Sequence, residues 1–192
     1  MNREFLTDLF RQTLNDPRGA AERLLSMHVQ LSDLLRAAGL VTVLNTIVFS
    51  LSLSLFGGSD APGFLGSPFT YATVMFAGII AYGGLIGFTG RSLGGQGRFA
   101  DVLVMLVWLQ AMRVVAQVIV TVLAIILPFL SAPAAIAIGL FGIWLTLNMI
   151  AEAHGFESLG RAFLAALFAG MGLVVALIML LTFLGVAPPQ LI

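Results

Sequence analysis

Long apolar runs alternate with short polar or glycine-rich segments along most of this chain. Five of the runs are long enough to cross a ~30 Å hydrocarbon core at a helical rise of about 1.5 Å per residue. The pattern therefore predicts an all-α, polytopic membrane bundle. Five transmembrane helices are predicted over residues 37–56, 69–89, 99–127, 134–152 and 161–184, and together they form a domain over 37–187. Residues 188–192 are predicted to follow it as a short external tail.

Residues 1–36 follow a different pattern and are predicted to be a cytosolic amphipathic leader. A helix over residues 2–14 places several large apolar side chains on one face. These side chains are Phe5, Leu6, Leu9 and Phe10. The face could bind the membrane or a protein partner, or it could pack on the protein's own cytosolic loops, and the pattern leaves both open. Asp16 and Pro17 then predict the N-cap and first turn of a second helix, over 17–35.

Composition supports a lipid environment and narrows the chemistry. The chain is 59% hydrophobic and 9% charged, with a mean hydropathy of +1.06, whereas soluble domains carry about 25% charged residues. The net charge is zero, which gives no support for nucleic-acid binding. Cysteine is absent, so disulfides, thiolate metal sites and cysteine nucleophiles are excluded.

The basic residues are all arginines, and their positions predict the topology. In a five-helix arrangement, every arginine except Arg113 falls on one side of the membrane. That side carries Arg3, Arg11, Arg18, Arg23, Arg36, Arg91, Arg98 and Arg161. The positive-inside rule therefore predicts a cytoplasmic N-terminus and a periplasmic C-terminus, in a multi-pass protein of a bacterial inner membrane.

Arg113 lies in the third predicted span, where a charge is costly unless it meets a partner or a wet cavity. Gln110 and Gln117 share its helical face. We expect an intramembrane polar cluster made of Arg113, Gln110, Gln117, Asn45, Asn148 and Glu152. In one hypothesis the cluster is a structural clamp in which Arg113 meets Glu152 or Asn148. In the other it is a site for a proton, an ion or a lipid headgroup.

Two cytosolic loops carry further polar residues, but neither predicts an enzyme. The segment GGQGRF, with Arg98, resembles fragments of phosphate-binding loops without their strand, and we interpret it as a mobile turn. The segment AEAHGFES contains His154, without an acid placed to orient it or enough ligands for a metal. We predict no catalytic, cofactor or metal site.

Three segments resemble bacterial members of the Yip1 family: TLNDPRGAAERLL, GGQGRFADVLVMLVWLQA and NMIAEAHGFESLGRAFLAAL. The resemblance implies a five-helix membrane protein with a cytosolic N-terminus and brings no catalytic residues. Eukaryotic relatives are associated with Rab GTPases and traffic between ER and Golgi. That role does not transfer, because the long cytosolic region of those proteins is reduced here to the leader.

Two functions remain for a non-enzymatic protein of this kind. The first is a membrane organiser or adaptor that binds a protein partner through the leader. The second is a small permease or lipid-binding protein that uses the cluster around Arg113. A cavity reaching Arg113 would favour the second, and a dry, fully paired cluster would favour the first. Association into a homo-oligomer stays possible, although we interpret the G-x-x-x-G pair Gly83 and Gly87 as packing within the bundle rather than as a dimerisation face, because five helices have many internal contacts to make.

Overall fold

The computed structural model describes residues 3–56 and 67–183, and this part of the chain is almost entirely α-helical. Two short helices, α1 (Arg3–Asn15) and α2 (Pro17–Ser26), precede five long ones. The long helices are α3 (Leu31–Phe56), α4 (Pro68–Ser92), α5 (Phe99–Ile126), α6 (Pro128–His154) and α7 (Leu159–Phe183). Each contains a segment long and apolar enough to span a membrane, which confirms the predicted bundle. The predicted tail at 188–192 and most of the loop at 57–68 lie outside the described residues.

The boundary between the leader and the first span differs from the prediction. A single helix over 17–35 is wrong, because α2 ends at Ser26 and α3 begins at Leu31. The chain breaks at His28, whose φ of 45° lies in the left-handed region that L-residues rarely adopt. Its Nδ1 lies 2.8 Å from the Ser26 carbonyl oxygen. The first span therefore begins within the segment that was predicted to belong to the leader.

The connection between α5 and α6 is also shorter than predicted. The turn expected at 128–133 is reduced to Leu127, the single non-helical residue between the two helices. Pro128 takes the first helical position of α6, where its missing N–H removes no helical hydrogen bond. Pro133 lies inside the same helix.

Two helices begin with a capping side chain followed by proline. The Asp16 carboxylate accepts a hydrogen bond from Gly19 N at 3.0 Å, which confirms the predicted cap of α2. At the start of α4, Ser67 Oγ accepts from Thr70 N at 3.4 Å. These caps satisfy N–H groups that have no partner within their own helix.

Four of the long helices form a ring in which α4 contacts α5 and α7, and α6 contacts the same two helices. Helix α3 packs outside this ring against α4 and α5. Helix α2 packs on α5 and α6, and α1 packs on α2. The leader is therefore attached to the flank of the bundle, beside the ends of α5 and α6 that it covers.

The buried side chains are concentrated toward one end of the bundle. This end, which we call the arginine-rich end, contains the start of α3, α5 and α7 and the finish of α4 and α6, together with every arginine except Arg113. In α5 the buried residues are Val102 to Val107, and in α6 they lie between Leu145 and His154. The opposite halves of both helices contain no buried residue. Buried side chains of α5 and α6 are therefore confined to the arginine-rich end.

Candidate intramembrane binding site

A cavity of about 1090 Å³ is lined by residues of all five long helices. We call it the intramembrane cavity. Its polar lining side chains are Asn45, Tyr71, Tyr82, Gln110, Arg113, Gln117 and Thr146, and the rest of its wall is apolar or glycine. Pockets that enclose small organic ligands are of this size and are lined in the same way, by apolar surface with a few polar groups.

Arg113 lines this cavity from the middle of α5, about 21 Å along the helix from Phe99. Its side chain is exposed, and it forms no ion pair or hydrogen bond with the residues that the structure describes. The Tyr71 phenol is near enough for an electrostatic interaction with the Arg113 charge. No described residue therefore neutralises the guanidinium.

The carboxylates of the described spanning helices lie far from this arginine. Asp33 and Asp101 occupy the first turns of α3 and α5, and Glu152 occupies the last turn of α6. All three belong to the arginine-rich end. Asp101 has a hydrogen-bond partner at that end, because its Oδ2 accepts a hydrogen bond from Arg98 N at 3.0 Å.

Gln110, Gln117 and Asn45 lie with Arg113 on the cavity wall, as the predicted cluster required. Asn45 is 1% exposed, and its Nδ2 donates to the Val41 carbonyl at 2.8 Å and to the Gln110 carbonyl at 3.4 Å. This contact joins α3 to α5 at the depth of Arg113. The side-chain Oε1 of Gln110 is buried and accepts no hydrogen bond from the described residues. Such an orphaned acceptor is costly unless a ligand or water serves it.

Asn148 and Glu152 do not join this group. Neither lines the cavity, and Asn148 Nδ2 instead donates to the Trp144 carbonyl of its own helix at 2.8 Å. The hypothesised ion pair between Arg113 and Glu152 is wrong. Gln96 N donates to the His154 carbonyl at 3.0 Å, which places the start of α5 beside the end of α6. Arg113 and Glu152 are consequently separated by about 18 Å along the bundle axis.

His154 is placed differently from the cytosolic loop position predicted for it. It is the last residue of α6 and only 2% exposed, with its ring enclosed by Gly90, Gly95 and Gly97, which we call the glycine cradle. A Cβ atom on Gly95 would lie 2.7 Å from the His154 Cβ, and one on Gly97 would lie 2.8 Å from its Cδ2. A Cβ on Gly90 would overlap the imidazole Nε2. The glycine-rich loop is thus anchored to α6, in contrast to the mobile turn that we expected.

The imidazole of His154 is only partly hydrogen-bonded. Its Nδ1 lies 3.1 Å from the Ile150 carbonyl oxygen, and its ring stacks on Phe156 with centroids 5.3 Å apart. The Ile86 carbonyl acts on the ring electrostatically, but none of the described groups has hydrogen-bond geometry to Nε2. The residue ties the ends of α4 and α6 together and does not reach the cavity lining.

The leader face divides between packing and exposure. Leu9 is 1% exposed and belongs to the core, while Thr13 Oγ1 accepts a hydrogen bond from Trp108 Nε1 at 2.9 Å. Phe5 lies under the Arg23 guanidinium, 4.3 Å from its ring centroid. Leu6 remains exposed, and Phe10 is partly so. Leu9 is therefore unavailable to a partner, whereas the stripe beside it stays accessible.

Several residues that line the cavity were not predicted from the sequence. Tyr71 and Tyr82 are the only tyrosines of the chain, and both line the cavity from α4. Gly139 and Gly142 line it from α6. Two signals in the sequence could have indicated them. Both tyrosines lie inside one predicted span, and the two glycines are three residues apart and therefore share a helical face.

Comparison with models of known protein families identifies one family for this chain. The model of the Yip1 domain matches residues 11–181, which cover α2 to α6 completely, most of α7 and the last part of α1. Searches of curated proteins and of solved structures found no match. The matched region contains the whole lining of the intramembrane cavity and the glycine cradle. This multi-pass membrane protein therefore belongs to the Yip1 family.

Proposed function

We propose that this protein binds an acidic group, a carboxylate or a phosphate, at Arg113 inside the membrane, without catalysing a reaction on it. The observation that carries the proposal is the Arg113 guanidinium, which no described residue neutralises, on the wall of a cavity of about 1090 Å³. It extends the hypothesis of a permease or lipid-binding protein built around Arg113.

Arginine suits this task because its planar guanidinium can donate two parallel hydrogen bonds to a carboxylate or phosphate. A charge in a low-dielectric region is costly until an opposite charge or dipole compensates it. Gln117 and Gln110 flank Arg113 on the same wall and can hydrogen-bond the oxygens of a bound acid through their amide groups. An acidic ligand would therefore neutralise the charge of Arg113 and at the same time hydrogen-bond to the glutamines beside it.

We place the arginine-rich end in the cytoplasm of a bacterial inner membrane, following the positive-inside rule. Trp108 fits this arrangement, because tryptophan is favoured at the membrane interface and its N–H bonds to Thr13 of the leader. With that interface, Arg113 lies only about 8 Å deeper along α5.

Arg113→Met is expected to weaken binding of the acidic ligand about 10- to 100-fold, the effect of losing a charged hydrogen bond of about 1.5–3 kcal/mol. The protein would be purified in mild detergent, and its bound small molecules extracted and identified by mass spectrometry. A lipid acid and a soluble anion are separated by organic and aqueous extraction.

Arg161→Met serves as the matched control, because Arg161 is an exposed arginine of α7 that does not line the cavity. We expect this variant to keep the ligand. If Arg113→Met carries as much acidic ligand as wild type, the acid does not bind at Arg113 and the proposal fails.

A second candidate is the membrane organiser or adaptor that binds a protein partner through the leader. Leu6 and Leu14 favour it, since they are 37% and 38% exposed and lie on one stripe of α1 with Phe10. We expect Leu6→Ser with Leu14→Ser to release a partner that wild type retains from native membranes. Deleting α1 would be a poorer test, because Leu9 and Thr13 are buried in the bundle.

A further inference from the structure

The intramembrane cavity is closed toward the arginine-rich end. Ile86, Leu103 and Met149 are each fully buried and come from three different helices of the ring. They lie between the cavity and the glycine cradle, where His154 ties α4 to α6. A soluble anion on that side would have to pass a close-packed apolar layer and the cradle.

The other half of the ring gives much freer access. The part of α5 beyond Val107 and the part of α6 before Leu145 contain no buried residue. Apart from Arg113, Gln110 and Gln117, the side chains of these halves are almost all apolar. Their surroundings in a membrane are lipid chains, so a lipid molecule reaches the cavity without crossing a packed layer.

The cavity wall is itself amphiphilic. Its charge and both glutamines come from α5, whereas α6 and α7 contribute mostly apolar side chains and glycine. Gly139 and Gly142 on α6, and Gly78 on α4, line the cavity and would place a Cβ with no heavy atom within 4 Å. Room therefore exists along these glycines for a chain that the protein itself does not fill.

Resting on the proposed function, we propose that the acidic ligand is a lipid acid taken from the bilayer. Its carboxylate or phosphate lies at Arg113, and its hydrocarbon chain lies along α6 beside Gly139 and Gly142. Insertion of each methylene into the bilayer from water is favourable by about 0.8 kcal/mol, so the membrane concentrates a long-chain acid beside the site and leaves an acid without a chain in water. The closed layer at the arginine-rich end makes the site a place of binding, with no through-path in this conformation.

The test compares two acids that differ in chain length. Radiolabelled hexadecanoate and butanoate would be bound to the purified protein in nanodiscs of zwitterionic phosphatidylcholine, with empty nanodiscs as background. Expressed per concentration of acid added, binding to wild type should favour hexadecanoate by at least about 100-fold, because the lipid of the nanodisc concentrates the long-chain acid beside the site. Hexadecanol, with the same chain and no charge, should bind at least about 10-fold more weakly than hexadecanoate.

Glycine variants separate the chain from the acidic group. Gly142→Leu and Gly78→Leu fill open space from opposite walls, and each should weaken hexadecanoate binding at least about 10-fold. Binding of butanoate, measured at concentrations that saturate its weak site, should stay unchanged. Gly84→Leu is the control, since Gly84 also faces open space but does not line the cavity. Thermal unfolding verifies that each variant is folded.

The outcomes distinguish the two proposals. If both acids bind with similar affinity, depend on Arg113 and ignore the leucine substitutions, the ligand is a small anion, and the lipid inference is wrong while the proposed function stands. If neither acid depends on Arg113, the proposed function fails and this inference fails with it. Hexadecanol binding as tightly as hexadecanoate would also overturn both, since the site would then be purely apolar.

Discussion

Gly90→Ala is expected to destabilise the protein by about 1–3 kcal/mol, because the new methyl group would overlap the imidazole of His154. The ring has little room to move. Its Nδ1 faces the Ile150 carbonyl, Phe156 stacks on one side, and the side chain is almost completely buried. Thermal unfolding in detergent micelles measures the effect as a lowered Tm.

Gly84→Ala provides the matched control for this substitution. Gly84 lies in the same helix, but a Cβ there would meet no heavy atom within 4 Å. We expect no loss of stability, since alanine is the better helix former by about 1 kcal/mol. An equal effect of the two alanine substitutions would show that the cradle does not constrain position 90.

A double-substituted protein tests the cause directly. His154→Ala alone should destabilise the protein, because it leaves a cavity where the imidazole was. Adding Gly90→Ala in that background should cost little, since the obstructing ring is gone. The predicted coupling between the two sites lies within the range of about 0.5–3 kcal/mol found for residues in contact. Independent, additive effects would contradict the contact.

The spans could be predicted from sequence because lipid acts on each helix separately. A run of apolar residues must cross the hydrocarbon core as a helix whatever its neighbours are, since its backbone polar groups have no other partners there. The distribution of the arginines was visible as well, because each span assigns the loops at its two ends to opposite sides of the membrane. The break at His28 was not, because no glycine or proline marks it and its left-handed residue is a histidine.

The candidate site was predicted in part, and the division follows from the range of the interactions. Gln110, Arg113 and Gln117 share a face of α5 through helical spacing alone. Their relation to Glu152 depends on how α5 and α6 are aligned. That alignment is set by the hydrogen bond from Gln96 to His154 and by the cradle, which are contacts between distant parts of the chain. Counting from the predicted helix ends points the same way, since it places Glu152 at the end of its span and Arg113 about 21 Å from the start of the neighbouring one.

The glycine cradle itself could not be deduced from the glycine content. Gly95 and Gly97 belong to the segment GGQGRF, which predicted a mobile turn because glycine is common where a chain reverses. In the structure neither has a positive φ, and what they provide is space for His154. These positions must lack a side chain because His154 occupies the space, and His154 comes from the far end of α6, so no local pattern reveals the requirement.

Leu9→Ala is expected to destabilise the protein by about 2–5 kcal/mol, the usual effect of truncating a fully buried leucine. The leader would then count as part of the fold, because α1 shares its core with the bundle and Thr13 bonds to Trp108 of α5. Unfolding of the purified protein by heat, followed through tryptophan fluorescence, measures the loss of stability.

Leu6→Ala is the matched control for Leu9→Ala. Leu6 lies on the same helix but is 37% exposed, so truncating it should change stability by less than about 1 kcal/mol. A leader held only by the membrane or by a partner would make both substitutions nearly silent in detergent. A large effect at Leu9 with a small one at Leu6 would instead assign the inner face of α1 to the bundle. The outer stripe would then be the only face of α1 that a partner or the bilayer could contact.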